Sequence, residues 1–232
     1  MRQLRGGGLP SAETLQSTLG YITLAQAAVG SVWTKESMEM YEFTGPIEDS
    51  TLQFAKFNYA LQIAHGLMLT GKADGVTAMA IAIFASTHIQ DALKAPKLPV
   101  VAWSALLLTL KHFGDAGSVP GWVIPALLLA SSAQGTFMWD SMKAMYQIGV
   151  PMSKQSDAMG GFVNGAFASF GVFLLGPILG WSAAQTFGAY GLVYTAYILK
   201  LVMVDGAGLF NPAGGYAWAA LFGGAGVMAL AA

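Results

Sequence analysis

The chain has 232 residues, of which 55% are hydrophobic and only 10% charged, and its formal net charge is −1. A soluble globule would carry charge on about a quarter of its residues, and a near-neutral chain offers no surface for neutralising nucleic-acid phosphates. The 12% aromatic content excludes disorder, and the absence of cysteine removes disulfides, thiolate metal sites and thiol catalysis.

What remains is an all-α membrane protein. Residues 1–14 form a tail with Arg2 and Arg5 and no apolar core before a cleavage site. That pattern reads as the remnant of an organellar transit peptide or an ordinary cytosolic tail, not a secretory signal. A bilayer-crossing helix needs about 20 mostly apolar residues. Eight stretches approach this: 15–33, 54–71, 74–93, a short one at 100–113 entered after Pro99, 122–139, 158–176, 181–204 and 216–232. Nearly all charges fall between them, as the roughly 2.5–3.5 kcal/mol cost of a mid-bilayer charge requires. Gly161 and Gly165, like Gly176 and Gly180, stand four apart, a spacing that lets helix backbones approach closely in lipid.

The halves of the chain match at an offset of about 105 residues. Gly30 pairs with Gly135, Met40 and Tyr41 with Met145 and Tyr146, Pro46 with Pro151, and Phe57 with Phe162. The last span of each half repeats Trp103 as Trp218, at an offset of about 115. The expected organisation is two parallel four-helix repeats, 15–114 and 115–232, each with one long polar loop after its first span. Four spans per copy give both copies the same orientation, with a pseudo-twofold axis along the membrane normal.

Polar residues within spans are the functional candidates. No carboxylate or lysine sits near the middle of a clear span, which argues against proton pumping and voltage sensing. Ser and His occur without an elbow motif, and the three His residues form no ligand-like pair, so the chain is expected not to be an enzyme and to hold no protein-ligated metal ion. His65 and His88 are each read first as hydrogen-bonded helix residues and second as axial ligands of a tetrapyrrole metal. Gln62, three residues before His65, shares its face, Asn58 stands a turn earlier, and Gly66 leaves room for a flat ring. Trp33, Trp122, Trp139, Trp181 and Trp218 lie near span ends and read as an interfacial belt.

In hydropathy, four short spans with a long first loop resemble DoxX-like small membrane proteins. The Ala/Gly-rich, Cys-free composition resembles accessory membrane subunits of energy-converting complexes in algae and protists. The Glu/Arg helix pairs of chlorophyll a/b antenna proteins are absent. The second resemblance implies a scaffold within a photosystem and light-harvesting supercomplex of the plastid thylakoid, or a counterpart in the mitochondrial inner membrane. It implies chlorophyll and carotenoid as bound pigments at His65, His88, Gln62 and Asn58. It also implies other integral membrane proteins and lipids as partners, and no nucleic acid. The alternative is a small-solute transporter, its path lined by Asn58, Gln62, Asn164 and Gln185.

Overall fold

A computed structural model describes residues 10–231. Among these residues the regular structure is all helical. Helix α1 (Ala12–Val32) starts at Ser11, whose hydroxyl accepts from the Thr14 N–H. It breaks at Trp33 (φ −114°, ψ 57°) and resumes as the short α2 (Thr34–Glu39). Helix α3 (Asp49–Leu69) ends in a turn that needs the left-handed backbone of Gly71 (φ +65°). Helix α4 (Gly75–Ala85), capped by Asp74, tightens through one 3₁₀ turn at Ser86–His88 into α5 (Ile89–Ala92). The stretch expected over 74–93 is therefore a broken rod.

Helix α6 (Leu98–Asp115) carries Pro99 in its first turn, where a missing N–H costs nothing. Helix α7 (Val123–Phe137) breaks at Met138 (φ −134°, ψ 44°), and α8 (Trp139–Met145) follows. Helix α9 (Lys154–Ile178) starts at the capping hydroxyl of Ser153. Helix α10 (Ala183–Lys200) opens with a capping box between Ser182 and Gln185 and runs into a π-turn at Leu201–Asp205. Helix α11 (Ala213–Ala231) closes the chain. Gln185, expected beside a transport path, thus holds a helix end instead. A Ser182→Ala variant should lose about 1 kcal/mol of stability by reversible detergent unfolding, the usual worth of an N-cap.

Among the described residues, three helical stretches are long and apolar enough to cross a membrane: Lys154–Ile178, Ala183–Asp205 and Ala213–Ala231. Val123–Phe137 is apolar but shorter. Large apolar side chains also face outward elsewhere, among them Ile81, Phe84, Leu106 and Val29, while Asn58, His65, Ser132, Asn164 and Ser169 are buried.

Helices pack in chain order: α1 on α3, α3 on α4 and α4 on α6, then α7 on α9, α9 on α10 and α10 on α11. Helices α3 and α9 meet in the middle, where Thr51 Oγ1 lies 2.9 Å from Ser156 Oγ. Several features recur about 105 residues apart. Helices break at Trp33 and at Met138, and Glu42 (φ +49°) and Gln147 (φ +51°) share a left-handed backbone. A Cβ added to Gly66 would meet Leu24 and the Gly20 carbonyl, and one added to Gly171 would meet Leu129 and the Pro125 carbonyl. The loop segments interlock across the seam: Thr44 N donates to Leu209 O (2.8 Å), and Gly149 N to Leu93 O (3.0 Å).

Candidate functional site

Two cavities flank the α3–α9 contact. The first lies between α1, α3, α9 and α11. Thr23 and Gln26 of α1, Asn58 and Gln62 of α3, Tyr41 and Trp218 are among its walls. Met159 and Phe162 of α9 close its far side. The second cavity is walled by Leu128, Ser131, Val163, Phe167, Tyr146 and Trp103, and closed by Phe54 and Phe57 of α3. The eight named first-cavity positions correspond one for one with these eight at the offsets found in the sequence. Each cavity leaves room for the centre of a water-sized sphere over about 90 Å³ and about 100 Å³ respectively. A single water needs only about 10–15 Å³ on that measure. Counting the open mouths, the space between atoms is about 760 Å³ in the first and about 830 Å³ in the second.

The walls are mainly apolar, with a few polar atoms set among them, the usual make-up of a small-molecule site. Asn58 is held by two bonds, its Nδ2 donating to Phe54 O (3.1 Å) and Met159 O (3.3 Å), so it ties α3 to α9. Gln62 Oε1 and Thr23 Oγ1 are buried with no hydrogen-bond partner. Burial pushes the Tyr41 hydroxyl above its ordinary range, partly offset by the neighbouring Trp218. Tyr146 is raised for the same reason, with Trp103 beside it. In the loop of the second half, Lys143 is held charged chiefly by its bond to Asp140.

Of the four site residues read from the sequence, three lie together. His65 follows Gln62 on α3 but lines neither cavity. It is 1% exposed, and its Nδ1 lies 2.8 Å from Tyr190 Oη. Phe170, Tyr190 and Tyr194 pack around it with ring centroids 5.0, 5.5 and 5.6 Å away. Its Nε2 is buried without a partner, and a flat macrocycle could reach that atom only by displacing these rings. His88 stands apart in the 3₁₀ turn, exposed, with Nδ1 2.6 Å from the Ala85 carbonyl. Among the described residues no group of three or more His, Asp or Glu side chains could hold a metal ion.

Sequence reasoning passed over Tyr41, Tyr146, Trp103 and the inward role of Trp218. The signal was present, because these residues pair at the offsets found in the sequence, but tryptophans at span ends read as an interfacial belt.

Tyr190→Phe should cost roughly 1–3 kcal/mol, since it strands the His65 Nδ1 in an apolar core. The double variant His65→Phe/Tyr190→Phe should restore most of that, because both partners then leave together. Unfolding midpoints of the two variants check this.

No protein-family model, curated protein or solved structure matches the chain.

Proposed function

We propose that this chain is an integral membrane subunit with no catalytic chemistry of its own. It holds two elongated apolar molecules, acyl lipid or carotenoid, in the cavities beside the α3–α9 seam. In this reading residues 15–114 and 115–232 are parallel copies that together cross the bilayer eight times, and the apolar outer faces dock on neighbouring membrane proteins. The observation that carries it is the residue-by-residue correspondence of the two cavity walls. Seven of the eight pairs stand 105 residues apart and the tryptophan pair 115, the pattern expected of a duplicated ligand site. A pigment-bearing complex of a thylakoid is the most specific version; the mitochondrial inner membrane is the alternative. The cavities suit a carotenoid chain better than the His65 environment suits chlorophyll, because their space is already open.

Gentle detergent extraction, a native gel, an absorption spectrum and lipid analysis test the reading. The expected result is a particle heavier than one chain that carries a carotenoid or a stoichiometric lipid. A small, colourless, lipid-free species would count against it.

A transporter is the second reading, favoured by the unpaired Thr23 Oγ1 and Gln62 Oε1, which could receive a passing solute's hydrogen-bond donor. Solute flux into liposomes that an Asn164→Leu change abolishes would move the conclusion there.

A further inference from the structure

The two cavities differ at one end. Trp139 and Lys143 line the second cavity and also an open groove alongside it, which measures about 490 Å³ by the same water-sized sphere. The Trp139 ring packs on Gly160, where an added Cβ would sit 2.7 Å from the indole, and its Nε1 donates to Asp157 Oδ1 (2.8 Å). The apolar chamber and the charged groove therefore adjoin at the indole and at Lys143.

The groove holds Asp140, Lys143, Lys154, Asp157, Lys200 and Asp205, three charges of each sign. Lys143 pairs with Asp140 (2.9 Å) and Asp157 (3.2 Å), and Lys200 pairs with Asp205. Lys154 is exposed and makes no ion pair among the described residues. In the first half Thr34, Met38 and Leu52 occupy the positions equivalent to Trp139, Lys143 and Asp157, so the first cavity lacks the linked Trp139–Asp157–Lys143 cluster.

A second observation concerns the chamber itself. Gln90 of α5 lines it, is 7% exposed, and has its Oε1 buried without a partner. The Gly149–Leu93 backbone bond ties the end of α5 to the segment after α8, so Gln90 stands at the same end as Lys143 and Tyr146. A buried acceptor with no donor is destabilising unless a ligand supplies one.

We infer that the second cavity and its groove form one site for a single-chain zwitterionic phospholipid, a lysophospholipid. This rests on the two-cavity reading above. The lone acyl chain fills the apolar chamber, and the unpaired Gln90 acceptor on its wall calls for a free glycerol hydroxyl, which a diacyl lipid lacks. The free glycerol hydroxyl donates to Gln90 Oε1. The phosphate meets Lys154 and Lys143, and the ammonium lies toward Asp140, a carboxylate whose side chain is 96% exposed. Charges of both signs in a groove that sums to zero match a headgroup of both signs, each held by charge-assisted hydrogen bonds.

The test is native mass spectrometry of the full chain in a mild detergent, loaded with lysophosphatidylethanolamine. Parallel samples receive the monoacylglycerol of the same chain, diacyl phosphatidylethanolamine, or soluble glycerophosphoethanolamine. One lysophospholipid per chain should be retained, at least about tenfold over the monoacylglycerol and the diacyl lipid, with no retention of the soluble headgroup. Lys154→Ala and Lys143→Met should each lower retention about tenfold. Lys154 is exposed and outside the core, so a loss there reports binding and not folding. Equal retention of monoacylglycerol overturns the headgroup assignment, and equal retention of the diacyl lipid overturns the single chain. If nothing apolar is retained by either cavity, the two-cavity reading itself fails.

Discussion

Gly191→Ala in α10 should unfold the α10–α11 pair at a temperature many degrees below that of the parent, while Gly224→Ala in the facing helix α11 should leave the midpoint unchanged or raise it. A Cβ at Gly191 would lie 2.7 Å from the Phe222 carbonyl oxygen and 3.3 Å from Gly226 Cα. Both obstacles are backbone, so neither can rotate away as a side chain could. Gly226 faces back, its own Cβ position 3.0 Å from the Gly188 carbonyl. The two helices therefore touch through their main chains, the arrangement that small residues permit in an apolar solvent. Overpacking a tight core costs about 1–3 kcal/mol when side chains can adjust, and here the top of that range or more is expected. At Gly224 nothing lies within 4 Å of an added Cβ. Alanine there keeps only its helix propensity advantage, about 1 kcal/mol. Thermal unfolding of both variants in one detergent separates a packing role from mere glycine abundance. Equal behaviour of the two would mean the α10–α11 contact is looser than described.

Much of this architecture could be read from the sequence because apolar length and turn residues act locally. Among the described residues the apolar stretches fall on helical segments, three of them long and apolar enough to cross a membrane, and Gly71 and Gly180, with left-handed backbones, end α3 and α9. The interruption within 74–93 was hidden, because nothing in Ser86, Thr87 and His88 forbids an α-helix; in the fold the tighter turn touches α3 and α6, and Ser86 Oγ donates to the Ile83 carbonyl three residues back (2.6 Å). Pairs such as Tyr41 with Tyr146 and Trp103 with Trp218 marked corresponding positions. Which of their faces was inward could not be read from spacing, because lipid and protein interior are equally apolar. His65 shows the same limit from the other side. Its place between Gln62 and Gly66 fits a ligand face, yet Tyr190, 125 residues away, takes its Nδ1. Lys143 lies between the apolar stretches, and its relation to Trp139 and Asp157 exists only once α8 folds against α9.

Thr23→Leu should make the ligand-free protein more stable and the loaded one less so. Thr23 is 2% exposed, yet its hydroxyl has no acceptor or donor, not even a carbonyl one turn back in its own helix. An unpaired buried hydroxyl costs roughly 1–3 kcal/mol by protein mutational measures. Its counterpart in the second cavity is Leu128, so the larger side chain is already accommodated at the equivalent place in this fold. Space for it exists, since Thr23 borders the first cavity. Removing the hydroxyl should therefore raise stability of the empty protein by about 1–3 kcal/mol. Polar atoms kept unpaired at such a cost belong where a ligand completes them. A molecule whose polar end bonds to Thr23 or Gln62 should then lose about tenfold in affinity for the variant, the equivalent of one hydrogen bond. Unfolding midpoints with and without the co-purified ligand measure both effects at once. If Thr23→Leu lowers the midpoint of the ligand-free protein, the hydroxyl is paired within the fold, and the first cavity has no unmet polar group at that position to offer a guest.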